Sequence, residues 1–494
     1  MASEMKGQAA QSGLTTTEGS ILDRIIVEGK LGQTPEEQVQ AKLWLEALVD
    51  NVLNKKMVFK KDTEVAINER ISAIDDAISK QLNEVMHAKP FQKLEASWRG
   101  LHYLLSKTET STMLKIKVLN ISKTELLKDL QKASEFDQSL IFKKVHDEEY
   151  GVLGGNPYGT LIGDFEFGRH PQDLELLEKM SNVAAAAHAP FIAAASAEMF
   201  NWESFTDLEG RRDLATIFDN DNYVRWKSFR ESEDSKYVGL CLPHILMRLP
   251  YGADTVPVEA FNYEEKVDGT DHSKYLWGNA AFAFATRLTE AFAKYEWCAA
   301  IRGVEGGGLV EGLPAHTFKT DDGDIALKCP TEIAITDRRE NEFSKLGFIP
   351  LCHYKGKDQA AFIGAQSCQK AQQYLDNDAT ANARLTSQLQ YTMAVARFAH
   401  FLKAIMRDKI GSFMSREQCE KFLNTWIANY VLLDDSASQD AKAKYPLRDA
   451  QVRVEEVAGK PGVYNAVAYL RPHFQLDELS VSLRLVARLP TPKG

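Results

Sequence analysis

Apolar residues recur at steps of mostly three and four through the stretch that follows Pro35, which predicts a series of amphipathic helices. Leu43, Leu45, Leu48 and Val49 form one set. Ile67, Ile71, Ile74, Ile78, Leu82 and Val85 form a second, and Phe91, Leu94, Trp98, Leu101 and Leu105 a third. The lysine-rich run Lys55 to Lys61 separates the first two, and Lys89-Pro90 sets the next boundary, because proline disfavours helix in the residue before it. Stripes of this kind must pack on each other or on a partner. Ahead of them Ile21, Leu22, Ile25 and Ile26 are spaced as one face of a short helix, ended by Gly29, Gly32 and Pro35. Two readings stay open for it: a peptide-like element tethered ahead of the folded body, or a helix packed on its own domain. Residues 1–18, rich in Gly, Ser, Thr and Gln, are expected to be flexible.

The pattern then becomes mixed. Met113 to Val118 alternates, with Leu114, Ile116 and Val118 on one side, and predicts a strand; Ser122 to Glu125 is a capping box opening a helix. Gly159 to Phe167, Asp173 to Ala187 and Pro190 to Ala194 predict strand, helix and strand, a crossover within a sheet. Asn279 to Ile301 is apolar nearly all round and predicts a buried helix. Its Arg287, Glu290, Lys294 and Glu296 argue against a membrane span. Helices follow near Leu385 to Lys409, ended by Gly411, and from Arg416 to Leu433, opened by a capping box of Ser415 and Gln418. After Asp434 to Tyr445 the period falls to two: Ala450, Val452 and Val454, then Val463 to Leu470, then Val481, Leu483, Leu485 and Ala487. That is a β-meander, turned by Gly459 to Gly462 and by Pro472 to Glu478. A short terminal sheet has a free edge, and unpaired edge groups invite strand addition from another chain.

Composition narrows the class. With 494 residues the chain exceeds the length of about 250–300 at which one core stops growing, so more than one domain is expected. Acidic residues outnumber basic ones by 69 to 59, which opposes generic binding to nucleic acid or an anionic membrane and favours protein partners. The polar N-terminus lacks an apolar signal core, and no apolar run is long enough to span a bilayer, so a cytoplasmic location is expected. Six cysteines lie far apart without a CxxC pair, as buried thiols of a reducing compartment do.

Catalytic chemistry finds little support. There is no GxSxG elbow, HExxH helix or GxxxxGK[ST] loop, and the 11 histidines lack ligand spacing, so no cofactor or metal is expected. Arg302 to Gly308 is glycine-rich but follows a helix where a phosphate cradle would open one, and Glu305 repels anions; it reads as a helix-terminating loop. Asp321 to Asp324 lacks the further ligands of a calcium loop, and the lysines around Phe59 read as a solvated hinge. The competing reading is a cytosolic α/β enzyme, with Arg230, Glu231 and Asp234 converging near His244.

Several blocks together resemble the large subunit of the type VI secretion contractile sheath, the TssC or VipB family. They are Gly154-Gly155-Asn156-Pro157-Tyr158-Gly159 running into Leu161 to Asp164; Phe229-Arg230 through Ser235 to Leu240; Arg248-Leu249-Pro250-Tyr251-Gly252; and Arg302 to Gly308. The resemblance spans about Ile21 to Leu489, with the blocks in family order. It implies a structural bacterial protein, not an enzyme, that polymerises helically with a small sheath subunit (TssB or VipA) around an inner Hcp tube, meets baseplate proteins, and contracts. It also implies that the apolar face Ile21, Leu22, Ile25 and Ile26 is recognised after contraction by the AAA+ ATPase ClpV. The C-terminal segment, with Val463, Val467, Val481, Leu483, Leu485 and Ala487, would pair with strands of neighbouring subunits. Ile67, Ile71, Ile74, Ile78, Leu94, Trp98 and Leu101 acquire a use in packing against the small subunit, though internal packing explains them equally well. The expected organisation is a flexible N-terminus with its short helix (1–34), a helical region (35–110), a mixed α/β body (111–445) and a C-terminal β segment (446–494).

Overall fold

The computed structural model describes residues 21–29, 31, 34–53, 63–210, 213–267, 269, 271–319, 323–412, 414–457 and 463–475. The chain divides into two compact units, Met1–Gln81 with Glu259–Tyr263, and Leu82–Val258 with Glu264–Gly494. The division falls inside one helix of the predicted helical region.

In the first unit, α1 (Ile21–Glu28) lies on α2 (Pro35–Leu53). Asp23 pairs with Lys42 at 2.7 Å, and Ile26 and Ala41 are buried. Of the two readings of the N-terminal helix, this is the packed one. Thr34 and Glu37 bond reciprocally through side chain and backbone, which caps α2 ahead of Pro35. The third helix, α3 (Thr63–Met86), carries the isoleucine series.

The second unit is built on a six-stranded sheet. Its strands are β1 (Leu161–Phe167), β2 (Phe191–Ala195), β3 (Val238–Leu242), β4 (Leu309–Val310), β5 (Ile349–His353) and β6 (Ala360–Phe362), in the order β1, β2, β3, β5, β6, β4. The first three and β5 run parallel, and β6 is antiparallel to β5 and β4. The side-chain period of two sends alternate residues to opposite faces. Phe191, Ala193, Ala195, Val238, Leu240 and Leu242 join one core with Leu174 and Leu177 of the crossover helix (Pro171–Ala187). Ile192, Cys241, Ile349 and Leu351 join another with Ala281, Phe284 and Leu288 of the helix Ala280–Tyr295. Burial on both faces explains why these strands read as continuous apolar runs.

The helix Lys89–Lys107, here α4, crosses the helix Ala280–Tyr295, called α5, at its one glycine. A Cβ on Gly100 would sit 2.4 Å from a ring carbon of buried Phe282, so the close approach requires glycine even though alanine is the better helix former. Gly100→Val is expected to lower stability by about 1–3 kcal/mol through overpacking. A chemical denaturation midpoint that stays in place would show that the two helices part without cost.

Three expectations are corrected. Met113 to Val118 lies in no sheet, because among the described residues no strand runs beside it; Ser111 instead accepts from the Met113 and Leu114 amides. The buried helix stops at Tyr295, where Glu296 takes a left-handed conformation (φ 66°) and turns Trp297 into a separate core. The helix near Leu385 is two helices, Asn377–Thr386 and Leu389–Asp408, broken at Gln388. Among the described residues no helix is long and apolar enough to cross a membrane.

Candidate assembly surfaces

The C-terminal segment forms a hairpin of β7 (Leu447–Glu456) and β8 (Tyr464–Pro472), with Val452 opposite Ala468 and Val454 opposite Ala466. On its inner face Val452, Val454, Ala450, Ala468 and Leu470 pack over Leu423 and Ile427 of the helix Arg416–Ala428, here α6, and Phe398. That helix opens with the predicted capping box of Ser415 and Gln418. On the outer face Val467 and Tyr469 are exposed, and Arg453 lies 5.3 Å from the Tyr469 ring centre. Val463 is exposed just ahead of β8. Val481, Leu483, Leu485 and Ala487, and the turn Gly459 to Gly462, lie outside the described residues.

The hairpin's hydrogen-bonding parity follows from its neighbours. Asn424 donates to the Val452 carbonyl at 2.7 Å and accepts from the Val452 amide at 2.9 Å. Glu420 accepts from the Val454 amide at 3.0 Å. Val452 and Val454 therefore turn their backbone groups away from β8, and the residues opposite them, Ala468 and Ala466, turn theirs away from β7. This row on α6 was legible in sequence only as polar residues spaced by four, a pattern that usually means a solvated helix face.

The predicted helical stripes are open. On α3, Ile67, Ile71, Ile74 and Ile78 are each 43–52% exposed, while Ser79 is buried, the reverse of what a self-contained helix would show. On α4, Leu94 and Trp98 are 57% and 66% exposed. Leu101 is half-buried against Leu104 and Phe282 and so belongs partly to its own core. These three α4 residues line a concavity of about 2150 Å³ that also takes in Leu114 and Ile116. The α3 and α4 sets lie in different units, apart from one another in the division of the chain. In the N-terminal helix, Ile25 is exposed and Ile26 buried; the Ile21 and Leu22 side chains lie outside the described residues.

The residues offered for catalysis do not converge. The Arg230 guanidinium is buried and donates to the carbonyls of Cys368 (3.0 Å) and Lys345 (2.8 Å), and burial pulls its pKa down to about 10. Glu231 meets Lys370 at the surface. His244 is held elsewhere, between Glu332 (2.5 Å) and Glu166 (3.0 Å), with Ser204 donating to Glu332 at 2.8 Å. The glycine-rich turn is spent on the fold: the Gly303 amide donates to the Phe362 carbonyl at 2.7 Å, and Gly307 (φ 90°) closes against the Ala300 carbonyl. Arg248 is buried between Glu95 (2.8 Å) and Glu265 (2.6 Å), an arrangement that fastens the Arg248 to Gly252 loop to α4. Every one of these ionisable groups is occupied by a structural partner.

Comparison with known proteins identifies the class. The VipB family's tail sheath N-terminal domain matches residues 68–369, and its tail sheath gpW/gp25-like domain matches residues 378–489. The chain is a tail sheath protein. It belongs to the VipB family, the large sheath subunits of type VI secretion, a structural family and not an enzymatic one. It is 50% identical over 487 residues, 98% of each chain, to the type VI secretion system sheath protein TssC1 of Pseudomonas aeruginosa. Among solved structures it is similar to chains of two anti-feeding prophage assemblies. One is the six-fold symmetrised baseplate (TM-score 0.34, 8% identity, 64% of this chain and 66% of that one). The other is the contracted helical sheath (TM-score 0.30, 10% identity, 63% and 66%). Both scores are low, and the family assignment rests on the sequence relatives.

Proposed function

We propose that the chain polymerises in the bacterial cytoplasm with a small sheath subunit (TssB or VipA) into a helical tube around an inner Hcp tube, joined to a baseplate, and that contraction drives the inner tube outward. The observation that carries this reading is the kinship of one residue in two along nearly the whole of both chains. The hairpin supports it: β8 presents backbone donors and acceptors away from its own partner strand, as a subunit linked to neighbours by strand pairing needs. In this reading Val463 and Val467, with Val481, Leu483, Leu485 and Ala487, form the intersubunit sheet. Such links hold subunits together while their rigid bodies move. Co-expression with the small subunit, followed by electron microscopy, tests the reading; a well-dispersed monomer indifferent to that partner refutes it.

Two separate apolar sets are offered to the small subunit: the open face Ile67, Ile71, Ile74 and Ile78 of α3, and, on α4, exposed Leu94 and Trp98 with half-buried Leu101. Ile71→Asp with Ile74→Asp is expected to leave the chain's own unfolding midpoint nearly unchanged, since both sites are exposed, yet to weaken co-purification of the small subunit by at least an order of magnitude. Undiminished co-purification would place that contact elsewhere. The face Ile21, Leu22, Ile25 and Ile26 serves capture by ClpV. Because Ile26 is covered within its own unit, capture of the full face requires α1 to leave α2.

A further inference from the structure

We propose that Arg397 is a recognition cation for the small sheath subunit: in a cleft beside two aromatic rings, its guanidinium receives a carboxylate side chain from a segment of that subunit which also carries a basic residue. The inference rests on the sheath reading and adds to it the chemistry of one contact.

Arg397 lies within the helix Leu389–Asp408. Its guanidinium carbon is 4.6 Å from the ring centre of Phe401, one turn on, and 5.8 Å from that of Phe292 on α5. The Nε atom is buried without a hydrogen-bond partner, and among the described residues none accepts from this guanidinium. Arg407, further along the same helix, is satisfied: it donates to the Tyr150 and Val152 carbonyls, each at 2.6 Å. Arg287 on α5 is satisfied too, by Glu290 at 2.7 Å. Burial lowers the Arg397 pKa, opposed only by the Cys298 thiol. A donor set withdrawn from water without an acceptor costs the fold stability, and an incoming acceptor relieves that cost.

The surroundings define what fits. Arg397, Phe292 and Phe401 line a cleft of about 340 Å³ whose lining also includes exposed Glu109 and Glu296. Aromatic walls keep water from the guanidinium, which strengthens a charge-assisted bond, and the planar fork matches a carboxylate at two points. The two glutamates repel a free dianion but attract a basic residue. An acidic side chain with a lysine or arginine near it therefore suits the cleft, and a polyanion does not. Met113 and Leu114 line this cleft and also the larger concavity bordered by exposed Leu94 and Trp98. The cleft thus continues the α4 surface offered to the small subunit. Apolar contact is non-directional, whereas a desolvated charge pair fixes register and rejects partners that lack it.

The test uses the full chain co-expressed with the small subunit. Arg397→Met keeps an unbranched side chain against Phe292 and Phe401 but removes the charge; Arg397→Lys keeps the charge without the fork. Co-purification of the small subunit is expected to weaken by about an order of magnitude with Arg397→Met and to recover in part with Arg397→Lys. Binding by Arg397→Met should also fall less steeply with added salt than wild-type binding does. The thermal midpoint of the chain purified alone should stay level or rise, because an unbonded buried cation is gone. Undiminished co-purification overturns the proposal. So does a wild-type midpoint raised by acetate while Arg397→Met still binds the small subunit fully, since the cleft would then take a free organic acid. Should Arg397→Met lower the chain's own midpoint, Glu109→Lys decides. That site is exposed, so the chain stays folded, and reversing its charge should weaken co-purification severalfold; unchanged binding overturns the proposal. A wild-type chain that does not bind its partner refutes the sheath reading; wild-type binding combined with an overturning result refutes this inference alone.

Discussion

Ala468→Pro is expected to abolish tubule formation while leaving the isolated chain folded. Proline deletes one backbone donor and fixes φ near −65°, so its effect depends on where that donor points. At Ala468 it points away from β7, because Val452 opposite turns its own backbone groups to Asn424. The substitution therefore removes nothing from the hairpin ladder, and edge strands tolerate proline on the side that faces outward. Val467→Pro is the control. Val467 lies opposite Arg453, in the alternate pairs where the two strands bond each other, in phase with the Val457 amide that donates to the Val463 carbonyl at 2.9 Å. Its loss should cost about 1–3 kcal/mol and loosen the hairpin itself. Thermal unfolding separates the two variants before assembly is scored. If Ala468→Pro assembles as wild type does, strand addition at β8 is not what links the subunits.

His244→Gln should produce the largest loss of stability, about 3 kcal/mol, by leaving two carboxylates facing each other around an uncharged side chain. Burial opposes charge on His244, but hydrogen bonds and attraction from Glu166 and Glu332 outweigh it and raise its pKa from 6.5 to about 10. Burial likewise opposes charge on Glu332, yet His244, His272 and Ser204 hold its pKa well below the usual carboxylate range. Glu166 is half exposed and contributes less, because water screens it. The signs give a window. A raised histidine pKa stabilises fully below its unfolded value of about 6.5 and loses that contribution as pH rises through about 10. A depressed carboxylate stabilises fully above its unfolded value of about 4.5 and loses its contribution in more acid solution. The difference between wild type and variant should be widest near pH 5.5 and shrink towards about pH 10. A gap in thermal midpoint that is flat across that range would mean that the imidazole acts by shape alone.

Local pattern carried much of the fold. The crossover of β1 and β2, the capping boxes at Ser122 and Ser415, and the alternation of β7 and β8 follow from rules that operate over a few residues, so periodicity and cap chemistry suffice to read them. Met113 to Val118 shows the limit. The alternation is there, but a strand also needs a neighbour, and which segments become neighbours depends on the whole chain. The stripes were legible as stripes, while their openness was not. A period of three and four is the same whether the apolar face turns to the core, as Leu104 does, or outward, as Trp98 does.

The assembly surface divides in the same way. By itself the sequence determined that a two-residue period runs near the C-terminus, that catalytic motifs are missing, and that blocks resembling a sheath family occur in order. Only the tertiary structure decided that side chains of α6 take up the outward backbone groups of Val452 and Val454. Those partners are distant in sequence: Asn424 sits 28 positions before Val452, and its carboxamide bonds that residue's backbone as a neighbouring strand would. It also decided that His244 pairs with Glu166 and Glu332, and that Arg230 spends its donors on main-chain carbonyls. Charges find partners through packing, and packing joins segments that no local spacing relates.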